Sequence, residues 1–102
     1  MPVSVAMTNG VCRVMIEGEM NIYNASAIKD HLLNAISECP RIELDLFNVN
    51  EIDTSGIQLL IMLNNEAQRR HRELNITMNN AVRNVMKLLN IEIGEMAQGL
   101  CR

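Results

Sequence analysis

The chain has 102 residues, near the usual size of one domain, so two independent hydrophobic cores are not expected. Hydrophobic residues make up 48% of the sequence and charged residues 21%, a balance typical of globular rather than disordered proteins. Tyr23 and Phe47 are its aromatic residues, and the formal net charge is −3. Both features argue against stacking platforms for single-stranded nucleic acid and against general binding of phosphate backbones, so no direct nucleic-acid partner is expected.

The spacing of the cysteines and the lack of a long apolar run favour a cytoplasmic protein. Cys12, Cys39 and Cys101 are odd in number and widely spaced, with no Cys-x-x-Cys pair, which indicates free thiols in a reduced compartment. No apolar run approaches the roughly 20 residues that cross a bilayer. The N-terminus also lacks the basic and apolar segments of a secretory signal, so no membrane insertion is expected.

The first two elements are predicted to be strands. Residues 3–7 alternate apolar and small polar side chains, and the same pattern resumes over residues 11–16. Between them lies an Asn-Gly dipeptide at residues 9–10, a strong signal for a tight turn. The sequence therefore predicts an N-terminal β-hairpin that ends at Gly18.

A helix is predicted after the hairpin, because apolar residues recur at helical spacing over residues 25–39. Asn24 is the candidate N-cap, and Pro40 stops the helix. Strict alternation over residues 41–47 then predicts a strand. The polar residues 48–53 are interpreted as a short loop.

A second helix is predicted to begin at Thr54-Ser55-Gly56, and its first half is apolar on nearly every side, as expected of a buried helix. Alternation over residues 74–78 predicts another strand, and Asn79 or Asn80 can cap a third helix. The tail over residues 91–102 carries only weak signals.

Strands that alternate with helices imply right-handed crossovers and a largely parallel sheet. We therefore predict an α/β fold in a single domain over residues 1–102. Its mixed, largely parallel sheet begins with the N-terminal β-hairpin, and the helices pack on the sheet.

The start of the second helix is the candidate functional site, because partners tend to bind beyond the carboxyl ends of parallel strands. A helix N-terminus offers unpaired N–H groups and a positive dipole end, so it would accept a phosphate on Ser55. That phosphate would add a charge of about −1.5 to −2 beside Asp53 and Glu51 and would oppose docking of a partner. The alternative is structural: Asp53, Thr54 and Ser55 are all good N-cap residues, and Gly56 allows close helix–sheet packing.

The sequence does not match the common motifs of enzymes or of metal sites. The sequence has no Gly-rich phosphate loop, no His-Glu-x-x-His motif and no Cys/His cluster with metal-ligand spacing. His31 and His71 fall on different predicted elements and are interpreted as surface or helix-end residues. We expect a protein that is not an enzyme and that needs no cofactor or metal.

The chain resembles the STAS family, the domain shared by anti-sigma factor antagonists and the cytoplasmic parts of sulfate transporters. The likeness covers roughly residues 3–90 and is carried by three segments, in the expected order: residues 16–25, 43–49 and, most specifically, 51–60. The sequence departs from the family at Met20-Asn21, where many members have an apolar residue followed by Asp. It also departs over residues 91–102.

This resemblance implies a bacterial anti-sigma factor antagonist that takes part in signal transduction and transcription regulation. In that class the Ser directly before the Gly is phosphorylated; here it is Ser55, with Thr54 as a secondary candidate and Asp53 as the acidic residue that shapes the loop. The implied partner is an anti-sigma factor or serine kinase regulator, released by phosphorylation and recovered by a serine phosphatase of the PP2C type. The implied partner-binding loop comprises Asn21, Tyr23, Asn24, Glu51, Asp53, Thr54, Ser55, Gly56 and Gln58.

Alternative functions remain open at this point. Some STAS proteins are non-catalytic subunits of lipid-transport ABC complexes, and others are adaptors associated with chemotaxis. A helix N-terminus can also bind a nucleotide or another small anion. An edge strand near residues 3–7 would further allow a homodimer.

Overall fold

The computed structural model describes residues 3–89, and the predicted tail over residues 91–102 lies outside them. Strands and helices alternate after an initial pair of strands, as predicted. In chain order the elements are β1 (Val3–Thr8), β2 (Val11–Met20), α1 (Ala25–Glu38), β3 (Arg41–Ile52), α2 (Thr54–Arg69), β4 (Glu73–Met78) and α3 (Asn80–Leu88).

The four strands form one mixed sheet in the order β1-β2-β3-β4. β1 is antiparallel to β2, and the β2–β3 and β3–β4 pairs are parallel. At the hairpin turn Asn9 and Gly10 both have positive φ, 52° and 79°, as a two-residue type I′ turn requires. The predicted fold class and hairpin are therefore confirmed.

The core lies between the sheet and the helices α1 and α2. Alternate residues are buried over residues 12–16 of β2 and residues 42–46 of β3, and the buried stripes of both helices join the same apolar cluster. None of the helices within residues 3–89 combines the length and the hydrophobicity of a membrane-spanning segment. The largest fully buried side chains are Ile16, Met20, Ile28, Leu32, Ile36, Ile42, Leu44, Leu46, Ile57, Leu60, Leu63 and Ile76.

The third helix is capped by Asn79, one of the two predicted candidates. Its side-chain oxygen accepts a hydrogen bond from the Val82 N–H at 3.0 Å. Its amide group also donates to the backbone carbonyls of Phe47 and Val49, at 2.8 and 2.7 Å. A single side chain thus begins α3 and attaches it to the second half of β3.

Two predicted strand ends were wrong. β2 continues past Gly18 to Met20, and β3 continues past residue 47 to Ile52, so residues 48–52 are strand and not loop. Register shifts between the two strands insert extra residues into β3 and keep Met20 opposite Ile52. Such bulges interrupt strict alternation, and the polar residues of this segment therefore resemble a loop in the sequence.

The prediction of free thiols was wrong for two of the three cysteines. Cys12 and Cys39 form a disulfide bond, with Cα atoms 5.9 Å apart, and both residues are buried. The crossover through α1 returns the chain to the start of β2, where Cys12 lies opposite Ile42, three residues after Cys39. A separation of 27 residues hides this proximity in the sequence. Cys101 lies outside the described residues.

Candidate functional site

The β2–α1 connection and the β3–α2 junction lie side by side, because the parallel strands β2 and β3 end together. Met20 is opposite Ile52, and the Asp53 N–H donates a hydrogen bond to the Met20 carbonyl at 3.0 Å. The two connections therefore form one surface beyond the carboxyl ends of the strands, as expected for an α/β sheet.

Asp53 joins these two connections through one carboxylate. Its Oδ1 accepts a hydrogen bond from the Gly56 N–H at 3.2 Å, which makes Asp53 the N-cap of α2. Its Oδ2 accepts from the Ile22 N–H, in the other connection, at 3.3 Å. The structural prediction that Asp53 caps the helix is confirmed, and the same side chain also fixes the neighbouring loop.

The β2–α1 connection is an ordered turn held by two asparagines. Asn21 Oδ1 accepts from the backbone N–H groups of Tyr23 and Asn24, at 3.0 and 3.2 Å. Asn24 Oδ1 accepts from the Asn21 N–H at 3.0 Å, and its amide donates to the Glu19 carbonyl at 2.7 Å. Asn24 occupies the N-cap position of α1, but its side chain makes no cap hydrogen bond there. The predicted capping role of that side chain was therefore wrong.

Gly56 lets α2 begin directly against the strand ends. A Cβ at this position would lie 2.6 Å from Ile52 Cγ1 and 2.9 Å from the Met20 carbonyl oxygen. Neither the backbone oxygen nor the start of a buried side chain can move away easily. The predicted close packing of helix on sheet is confirmed, and it places the first turn of α2 on this surface.

The two candidate phosphoacceptors occupy the first turn of α2. Thr54 is the first residue of the helix and is exposed, whereas Ser55 is the second and is half-buried. Among residues 3–89, the Ser55 hydroxyl has no hydrogen-bond partner. Ser55 lies beside N–H groups that carry the positive end of the helix dipole. Gln58 is exposed three residues further along the helix.

Acidic side chains border these hydroxyls. Glu19 lies directly opposite Glu51 in the β2–β3 register, and both residues are exposed. Asp53, also exposed, adds a third carboxylate next to Thr54. The surface is therefore negative before any modification.

Two exposed apolar side chains lie on the same connection. Tyr23 has 94% of its surface exposed and Ile22 has 68%. Tyr23 was among the predicted residues, but Ile22 and Glu19 were missed. The available signal was an apolar dipeptide between the end of a strand and the start of a helix, where a buried core position is not expected.

The structure thus brings all the predicted site residues to one end of the sheet. Asn21, Tyr23 and Asn24 lie on the β2–α1 connection. Glu51 lies on β3, Asp53 lies between β3 and α2, and the remainder lie on the first turns of α2. Gly56 differs from the other predicted site residues because it is buried and has no side chain to present. It positions the helix instead.

The family model described as "Mlab, STAS domain" matches residues 3–98. The chain belongs to the STAS domain family. The family resemblance found in the sequence is therefore confirmed.

Solved structures share this STAS fold at low sequence identity. An anti-sigma factor antagonist from Mycobacterium paratuberculosis is 19% identical over 86% of this chain and 76% of its own, with a TM-score of 0.77. A putative anti-sigma factor antagonist from Thermotoga maritima is 19% identical over 98% and 95%, with a TM-score of 0.72. The Bacillus cell fate determinant SpoIIAA in its phosphorylated form is 16% identical over 92% and 86%, also at 0.72. These likenesses are of fold, so the roles of individual residues rest on the geometry of the site.

Proposed function

We propose that this STAS domain is a partner-switching signalling protein of the anti-sigma factor antagonist type. With Ser55 unmodified it binds an anti-sigma factor or serine kinase regulator, and phosphorylation of Ser55 releases that partner. A serine phosphatase of the PP2C type restores the binding form. The domain acts by binding and not by catalysis, and its output is transcription regulation.

The observation that carries this proposal is the double role of Asp53. Its carboxylate caps the helix that bears Ser55 and also accepts from Ile22, next to the exposed Tyr23. The proposed phosphoacceptor and the exposed apolar side chains therefore lie on one surface, whose two loops are joined by the Asp53 carboxylate. A partner that covers Ile22 and Tyr23 also covers or borders Ser55.

A phosphate on Ser55 changes this surface without unfolding it. It adds a charge of about −1.5 to −2 at the N-terminus of α2, where backbone N–H groups and the helix dipole accept an anion. The added charge lies among Glu19, Glu51 and Asp53. An interface that buries it must remove its hydration shell, which costs several kcal/mol for an unpaired ion. Phosphorylation therefore favours release.

The first test maps phosphate on the protein isolated from its own cells in two growth states. We expect mass spectrometry to find phosphate on Ser55 in one state and not in the other. Phosphate on Thr54 instead would make Thr54, and not Ser55, the phosphorylated residue. Unmodified Ser55 in every state would contradict the proposal.

A second test compares the binding of variants to the regulator captured by the unmodified protein. Ser55→Ala should bind as tightly as wild type, and Ser55→Asp at least about tenfold more weakly, equal to about 1.4 kcal/mol. Asn65→Asp is the matched control, since it adds the same charge to an exposed position further along α2. Equal binding by both Ser55 variants would refute the switch.

A second candidate function is a constitutive subunit of a transport complex. The exposed Ile22 and Tyr23 favour it, because permanent interfaces are more apolar than transient ones. This candidate predicts an ATPase partner whose binding does not change with the residue at position 55. The variants of the second test therefore separate the two functions.

A further inference from the structure

We propose that two copies of this chain pair through β1, antiparallel and related by a two-fold axis, so that their sheets join into one of eight strands. Within residues 3–89, β1 is an edge strand, bonded to β2 on one side only. An edge strand presents a row of unpaired backbone groups to any second strand. This proposal does not depend on the proposed function.

β1 lacks the features that usually protect an edge. Residues 3–8, Val-Ser-Val-Ala-Met-Thr, contain no charge and no proline. The β1–β2 pairing runs without a bulge from Val3 opposite Ile16 to Thr8 opposite Val11. Proteins that keep an edge single use charged residues, prolines or bulges there. The other edge, β4, begins with Glu73, which forms an ion pair with Arg41.

The tight turn determines which backbone groups of β1 are unpaired. Residues that flank a two-residue hairpin turn form a hydrogen-bonded pair, here Thr8 with Val11. Because such pairs alternate along antiparallel strands, every second residue before Thr8 also bonds to β2. Val3, Val5 and Met7 are therefore left with N–H and C=O groups that point away from the sheet.

The same three residues form an apolar row on the face that carries α1 and α2. Each lies opposite a buried residue of β2: Val3 opposite Ile16, Val5 opposite Val14 and Met7 opposite Cys12. They extend beyond the cover of the helices, since Val5 is 45% exposed and Met7 is 58% exposed. Unpaired backbone groups and unburied apolar side chains thus coincide on one strand.

A second copy fits this edge because β1 is complementary to itself. With the two-fold axis at Val5, Val5 faces Val5 of the second copy and Val3 faces Met7 of the second copy. Every outward backbone group then meets a partner, and the two apolar rows become continuous across the axis. One pair of short strands buries less than a standard interface, so we expect a weak dimer with a Kd of about 10–100 μM.

Cysteine cross-linking tests the register in the full chain with Cys101→Ser. Val5→Cys places two Cα atoms about 5.5 Å apart, within the range of a disulfide. Oxidised glutathione should then convert the two thiols into one bond between the copies and be reduced to two glutathione thiols. We expect Val5→Cys to form a covalent dimer on non-reducing gels, at a rate at least about tenfold higher than that of the control variant Ser4→Cys.

Ser4→Cys is the matched control on the same strand. In the proposed register its two copies lie on the other face and roughly 7–8 Å apart, beyond a disulfide. Cross-linking of Ser4→Cys as fast as Val5→Cys would overturn the register.

Sedimentation of the uncross-linked protein tests the dimer itself. Val5→Lys places two like charges directly opposite each other and should weaken the dimer at least about tenfold. Ser4→Lys adds the same charge to the other face and should dimerise like wild type. A wild-type chain that stays monomeric at about 1 mM would overturn the proposal and leave β1 to a strand from a different protein. Circular dichroism of each variant checks that it is folded.

Discussion

The two ends of the sheet are held together in different ways. The site end comprises the β2–α1 connection and the start of α2, at the carboxyl ends of β2 and β3. The far end comprises the starts of β2, β3 and β4, where α1 and α2 end. One end is stabilised by a covalent bond and ion pairs, and the other by hydrogen bonds to loop backbone.

At the far end, Cys12 and Cys39 link the start of β2 to the end of α1. The Glu73 N–H donates to the Pro40 carbonyl at 2.9 Å, and the Glu73 carboxylate pairs with Arg41 at 2.6 Å. These contacts connect the starts of β2, β3 and β4, where the two crossovers through α1 and α2 return the chain to the sheet.

At the site end, Asp53, Asn21 and Asn24 accept hydrogen bonds from backbone N–H groups. This arrangement orders the two loops that carry the candidate site. Under the proposed function, the charge of the site end changes while the covalent bond at the far end holds the core.

The largest expected effect comes from breaking the covalent link at the far end. Cys39→Ser should lower the free energy of unfolding by about 3 kcal/mol, because a crosslink that closes a loop of 27 residues restricts the unfolded chain. Thermal unfolding of wild type with and without reductant should show the same loss. The Cys39→Ser protein serves as the control, since its own melting midpoint should not respond to reductant. A melting midpoint that does not respond to reductant would contradict the bond.

A smaller loss is expected from crowding the site end. Gly56→Ala should destabilise the protein by about 2 kcal/mol, because the new methyl group meets Ile52 and the backbone of Met20. Chemical denaturation measures this loss. Gly18→Ala is the comparison: its space is open, but its φ is +83°, so strain alone should cost about 1–2 kcal/mol. Wild-type stability of Gly56→Ala would show that α2 does not start where the structure places it.

The smallest effect concerns the far-end ion pair and its pH dependence. The hydrogen bond from Arg41, and then its charge, lowers the pKa of Glu73. A carboxylate with a lowered pKa in the folded state stabilises the fold above its ordinary pKa. That contribution is lost as the pH falls through the lowered pKa.

Melting curves of wild type and Glu73→Gln should therefore differ slightly at about pH 7 and converge near about pH 2–3. The difference should be smaller than either loss above, since both partners are exposed and screened. Glu17→Gln, on an exposed position of β2, is the control. A difference in melting midpoint between wild type and Glu73→Gln that widens as the pH falls would contradict the lowered pKa of Glu73.

Several features could be predicted because their signals are local. The hairpin follows from Asn9-Gly10, whose residues tolerate positive φ. The N-caps of α2 and α3 follow from Asp53 and Asn79, whose side chains reach N–H groups three residues ahead. The candidate role of Ser55 stays a prediction, and it came from the family resemblance, in which the Ser directly before the Gly is phosphorylated.

Other features could not be predicted because they join distant parts of the chain. The bond from Asp53 to the Ile22 N–H spans 31 residues and depends on β2 and β3 ending together. Those ends coincide only through the register shifts in β3, which alternation does not reveal. Asn24 looks like a cap in sequence, but its side chain is engaged by Asn21 and Glu19.

The sequence alone therefore determined the kinds of elements, their order, the family and the segment that carries the candidate site. The elements and their order depend on periodicity and on contacts within a few residues, and the family was identified from the resemblance of three segments. Only the tertiary structure decided the length of β3, the pairing of Cys12 with Cys39 and the joining of the two site loops by Asp53. Each of these depends on how crossovers return the chain, because strand register and helix packing bring together residues that no local pattern relates.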